Sequence, residues 1–206
     1  METTSEKYHP TMFEDIQTCR TLLPLVSRTF ALSIEQMPAP LDNVVRTAYL
    51  MCRIVDTIED ERPLAWFKRR RSFERFRQTV KNDRLSAKAL QDAICDLHED
   101  GADGQLCRRS AAVIRCFRSL EAEQRAAISG PLLEMSHGME EYALRAEDYD
   151  EQLPMIRDVA DLERYCYYVA GTVGLMLCDL FLRDCGLSEA DLGLGERIID
   201  TPLPVR

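Results

Sequence analysis

The sequence has no C-x-x-C pair: its eight cysteines stand singly at Cys19, Cys52, Cys95, Cys107, Cys116, Cys166, Cys178 and Cys185. Spaced that way they form neither a zinc cage nor a disulfide framework, and they read as reduced thiols serving as small core residues. Histidine is scarce. His9, His98 and His137 show no ligand spacing, which argues against zinc. There is no P-loop and no dinucleotide glycine fingerprint. Basic residues are in deficit, 26 Lys and Arg against 35 Asp and Glu, for a formal net charge of -9. The pI is near 4.9. A general nucleic-acid binder needs a basic footprint, so no nucleic-acid partner is expected. The polar N-terminus METTSEKYHPTMFED lacks the apolar segment of a secretory signal. The longest uncharged run, Tyr165–Cys178, has 14 residues, short of the roughly 20 that cross a bilayer. The expected location is therefore cytoplasmic, without a transmembrane segment.

Also missing is any convincing period-two alternation, so strands are not expected, and there is no internal repeat. The reading is all-α, with seven or eight helices. The 206 residues suit one sizeable domain.

The chain is organised around Leu41–Glu61, LDNVVRTAYLMCRIVDTIEDE. Tyr49, Arg53, Asp56 and Asp60 are spaced by four, three and four, so a helix sets all four on one face. Apolar residues fill so much of the remaining circumference that this helix should be largely buried. Two carboxylates one turn apart in such a place need a cation, because desolvation and like charge both oppose ionisation. Magnesium suits them, since it takes carboxylate oxygens and shares its other positions with waters and substrate phosphates. A solvated acidic helix end is the alternative.

Around that stretch, Ser27 and Arg28 precede Phe30, and could serve phosphate oxygens or simply start a helix. Pro38 and Pro40 break the chain and Asp42 offers an N-cap. LAWFKRRRSFERFRQTVKN reads as a core-packing helix with a solvated basic face, with a membrane-surface helix as the alternative. Leu85–Asp100 reads as a helix on which Asp92, Asp96 and Asp100 copy the D-x-x-x-D spacing on a solvated face. Gly101–Gly104 reads as a turn, with helices to about Leu120 and then to about Ala146, kinked at Pro131. AEDYDEQLP is expected to be a surface loop. In the helix Asp158–Asp184, the small residues Ala170, Gly171 and Gly174 leave room for either an isoprenoid-like ligand or a close-packed helix.

Three separated blocks, VSRTF at Val26–Phe30, YLMCRIVDTIEDE at Tyr49–Glu61 and YCYYVAGTVG at Tyr165–Gly174, together resemble the squalene and phytoene synthase family. These are head-to-head trans-isoprenyl diphosphate synthases, and the likeness, from about Thr18 to Phe181, is closest to bacterial squalene-synthase-like members. The resemblance implies an all-α isoprenoid synthase fold, one domain over residues 1–206 with helices around a central cavity. It implies that Asp56 and Asp60 bind Mg2+ bridged to diphosphate, and that Ser27, Arg28, Tyr49 and Arg53 line the diphosphate pocket. Catalytic roles fall to Asp56, Asp60, Arg53 and Tyr165, and the prenyl-chain cavity to Phe30, Val169, Ala170, Gly171 and Gly174. The implied reaction joins two farnesyl or two geranylgeranyl diphosphates, with NADPH as a further cofactor if squalene is the product. Peripheral membrane contact for product release goes with it. The family's second aspartate-rich motif has no match here: Asp179 and Asp184 have the wrong spacing, and Asp191 and Asp200 stand alone. A domain truncated at its C-terminal end is thus expected, with an inactive prenyl-diphosphate-binding or helical assembly protein as the alternative function.

Overall fold

The structure is a computed structural model that describes residues 11–60, 66–97, 101–148 and 156–186. Helix α1, Met12–Val26, starts in a capping box: the Thr11 hydroxyl accepts from the Glu14 N–H, and the Glu14 carboxylate accepts from the Thr11 N–H. Ser27 ends α1 and opens α2, Arg28–Glu35, with its hydroxyl accepting from the Phe30 N–H at 3.3 Å. Helix α3 spans Leu41–Asp60. Asp42 lies inside its first turn rather than at the N-cap, because the carbonyls of Pro38 and Pro40 accept the N–H groups of Asp42, Asn43 and Val44. The Asp42 carboxylate accepts instead from Arg46 at 3.0 Å.

Further along are α4, Trp66–Lys81; α5, Ala87–Ile94; α6, Gly101–Ser119; and α7, Ala122–Asp148. Then come α8, Val159–Cys166, a π-helical turn at Tyr167–Gly171, and α9, Thr172–Asp184. Among the described residues there is no strand, as the missing alternation predicts.

Helix α3 is the hub, packed against α1, α2, α4, α6, α7 and α9. Its Leu50, Met51, Ile54, Val55 and Ile58 are fully buried, with Phe73 and Phe76 of α4 and Val113 and Ile114 of α6 in the same core. Each such side chain contributes roughly 1.5–3 kcal/mol by leaving water. The basic face of α4 is less solvated than expected: Arg69 is buried, donating to the carbonyls of Glu59 and Ala143 at 3.4 and 3.3 Å, while Phe67 is exposed.

Several expectations change. Helix α5 ends at Ile94, so Asp96 is not on it; Asp92 pairs with Lys88 at 3.0 Å on the exposed face, and Asp100 lies outside the described residues. Gly101–Gly104 is the first turn of α6, and Gly101, at φ 96°, takes the backbone into the helix. Helix α7 runs to Asp148, so the first residues of AEDYDEQLP are helical; residues 149–155 lie outside the description, and Pro131 sits within the helix. All eight cysteines are free, but only Cys19, Cys52, Cys107 and Cys116 are buried; Cys166, Cys178 and Cys185 are exposed on or just after α8 and α9.

The helical stretch Val159–Asp184 is long and apolar enough to cross a membrane by length and composition, a property the uncharged run missed because such a span tolerates one or two charges. Part of it packs on α7 and α3. Leu162, Tyr167, Leu175 and Phe181 are left exposed. An apolar face of this kind drives association in water. The 206-residue chain alone is therefore expected to self-associate, and Leu175→Lys with Phe181→Lys to shift it toward monomer. Light scattering at increasing concentration checks this; a wild-type chain that stays monomeric contradicts it.

Candidate active site

Thirteen of the twenty residues of α3 are buried, and the stripe Tyr49, Arg53, Asp56 and Asp60 reaches solvent together with Asp42, Asn43 and Glu59. Arg53 donates through Nη1 to Asp56 at 3.2 Å and through Nη2 to Asp103, in the first turn of α6, at 2.8 Å. Burial works against its charge, but the two carboxylates more than offset this and hold the guanidinium above its ordinary value. Asp56 is one-quarter exposed. Burial raises its carboxyl to about 6; Arg53 pulls it down, while Asp60 and Asp103 push it up. Asp60, one turn on, is exposed. The acidic end of α3 thus holds more carboxylates than guanidinium groups to pair with them.

Arg53 and Asp56 open into a cavity of about 630 Å³ bounded by α2, α3, α7, the π-turn and α9. Tyr49 and Phe30 line it, their ring centroids 5.1 Å apart, with Val169, Ala170 and Gly174 on the opposite helix. Met135, Val173, Met176 and Leu177 extend the apolar wall. Cys52 also faces it, its thiol pushed up by burial and by Asp56, which leaves no thiolate nucleophile. At Gly174 an added Cβ would meet nothing within 4 Å, so this glycine opens space rather than serving close helix packing.

Tyr165 belongs to the acidic end. Its phenol is raised to about 12, first by burial and then by Glu59, Asp60 and Asp56. Its ring lies 5.0 Å from that of Tyr142, a fully buried residue of α7. The Tyr142 hydroxyl donates to the Asp161 carboxylate at 2.8 Å, which also accepts from Arg145 at 2.8 and 2.9 Å and from the Arg157 N–H at 3.1 Å. Arg145 and Tyr142 hold the Asp161 carboxyl well below the usual range. The base of α8 is thus pinned to α7 just ahead of the π-turn, a feature that recurs at functional sites. Close approach occurs at Gly138 of α7, where a Cβ would fall 2.0 Å from the Tyr168 ring.

Some predicted residues are not at the cavity. Ser27 caps α2 through its hydroxyl, and Arg28 is exposed with no ion pair among the described residues. Gly171 lies in the π-turn, where its missing side chain leaves room for the Tyr167 ring, 2.9 Å from an added Cβ. Asp103, Tyr142, Asp161 and Gly138 escaped the sequence reading. Asp158 and Asp161 at a helix start carried a faint capping signal; the other three act across elements and left none.

Residues 23–195 match the family model described as squalene/phytoene synthase. Among curated relatives, the squalene synthase of Schizosaccharomyces pombe is 31% identical over 188 residues, which is 90% of this chain and 38% of the relative. The squalene synthase BSS of Botryococcus braunii is 30% identical over 89% of this chain and 36% of its own length. The lycopaoctaene synthase of the same alga is 27% identical over 86% and 36%. A ligand complex of TcSQS superimposes with a TM-score of 0.67 at 26% identity, covering 91% of this chain and 48% of that one. The chain thus spans less than half the length of the relatives it matches.

Two outcomes test the site as built. Asp56 is raised in the fold, so its contribution to stability is full below its ordinary value of 3.8 and lost as pH rises through about 6. The shift corresponds to roughly 3 kcal/mol. Asp56→Asn is therefore expected to stabilise the metal-free chain at pH 7.5, by roughly 1–3 kcal/mol, and not at pH 4. Urea unfolding at both pH values checks this; a loss at pH 7.5 contradicts it. Gly138→Val, which drives a side chain into Tyr168, should cost roughly 1–3 kcal/mol in the same assay.

Proposed function

The chain belongs to the squalene/phytoene synthase family, and from that premise we propose that it serves the head-to-head joining of two prenyl diphosphates with release of pyrophosphate. One observation carries the proposal: a single cavity is lined by Arg53 and Asp56 and by a long apolar wall, so a charged head and a prenyl tail have adjoining places.

Magnesium fits the donor set. Asp56 and Asp60 offer hard oxygens one turn apart, and among the described residues no third Asp, Glu, His or Cys joins them to complete a cage. That suits an ion that keeps waters and takes oxygens from a substrate diphosphate. When bound it would supply Lewis-acid stabilisation of charge on the leaving diphosphate.

The chain's own residues account for the rest. Arg53 donates to diphosphate oxygens, and the Tyr49 hydroxyl lies on the same helical face to do likewise. The C1–O bond of one allylic diphosphate breaks, and C1 bonds to the double bond of the second prenyl diphosphate. Loss of one proton closes a cyclopropylcarbinyl diphosphate. The apolar wall keeps water from the allylic cation, and the faces of Phe30 and Tyr49 attract it. Farnesyl and geranylgeranyl diphosphate are the substrates to try, and reduction to squalene would draw a hydride from NADPH. The exposed face of α8 and α9 would serve peripheral membrane contact as a hydrocarbon leaves.

Pyrophosphate release from each substrate, with and without magnesium and with extraction of hydrocarbon, tests the reading. Magnesium-dependent release with a coupled product is expected, and Asp60→Asn should lower it by about 10²-fold or more with helicity unchanged. Substrate binding without release would instead make the chain a binding protein.

A further inference from the structure

We infer that Asp103, at the start of α6, is a positioning residue that holds Arg53 ready for a diphosphate; the inference rests on the function proposed above. Among the described residues Arg53 is the one arginine lining the cavity. Its Nη2 reaches Asp103 at 2.8 Å, a shorter contact than the 3.2 Å from Nη1 to Asp56, and one that crosses to another helix 50 residues along the chain. Its Nε–H is buried and has no hydrogen-bond partner among the described residues, as is also true of Arg118 and Arg125.

The two carboxylates are not equivalent. Asp56 lies on the same stripe as Asp60, and a divalent cation held by that pair would compete with Arg53 for its carboxylate. Asp103 comes from α6, and its carboxylate sits at a helix N-terminus, where the backbone dipole favours its charge. It therefore keeps its hold on Nη2 when Asp56 turns to the cation. The planar guanidinium then presents Nη1 to diphosphate oxygens without swinging on its long side chain. Asp103 is 38% exposed and outside the apolar core, so replacing it does not threaten the fold. The opposite role, a carboxylate that competes with diphosphate for Arg53, predicts tighter binding once Asp103 is removed.

Calorimetric titration with inorganic pyrophosphate in the presence of magnesium separates these. In Asp103→Asn the side-chain carbonyl still accepts from Nη2, so affinity should stay within about threefold of wild type, whereas Asp103→Ala should lose about tenfold or more. The melting temperature of both variants should remain near that of wild type. In turnover, Asp103→Ala should raise KM for the prenyl diphosphate more than it lowers kcat. Equal or tighter pyrophosphate binding by Asp103→Ala overturns the positioning role and leaves the diphosphate site standing. A wild-type chain that binds no pyrophosphate overturns both.

Discussion

The guanidinium of Arg53, shared between Asp56 and Asp103, is the interaction that lets a mostly buried helix carry a charged face. Helix α3 is packed on several sides, so its polar stripe has only the cavity and its rim to face. Asp56 and Asp103 share one cation there, so carboxylates outnumber it, and burial first, then Asp60 and Asp103, raise Asp56 to about 6. The metal-free fold tolerates that imbalance rather than gaining from it, and a site built for substrate is where such a cost is kept.

The rest of the molecule positions what faces this stripe. Helix α7 anchors the base of α8 through Tyr142, Arg145 and Asp161. Past that anchor the π-turn and α9 lay Val169, Ala170, Val173 and Gly174 across from Phe30 and Tyr49. The absence of a Cβ at Gly138 allows Tyr168 to lie against α7, and the absence of one at Gly174 enlarges the cavity. Two glycines on facing helices thus act in opposite ways, one closing a contact and one keeping a space.

Much of this is legible along the chain because it is local. The spacing of Tyr49, Arg53, Asp56 and Asp60 is a property of one helix, and so is the apolar circumference that buries the remainder. Family membership follows from blocks that are each contiguous. What was not legible depends on contacts across elements: Asp103 meets Arg53 from 50 residues away, and Tyr142 meets Asp161 from 19. Ser27 shows a local role of its own, since its hydroxyl caps α2 by accepting from the Phe30 N–H, which does not use its O–H. The aspartate series from Asp92 copies the spacing yet is read as a solvated face, and Asp92 is exposed and paired with Lys88 on a helix that stops at Ile94.

The central claim is that the acidic face of α3 awaits a divalent cation and a diphosphate. Carboxyl carbon-13 NMR of Asp56 follows it directly, titrated with pH in the metal-free chain and again with magnesium and pyrophosphate. The account predicts a midpoint near 6 without ligand, and a carboxylate ionised throughout the neutral and mildly acidic range once both are bound. A midpoint unmoved by magnesium and pyrophosphate would contradict it.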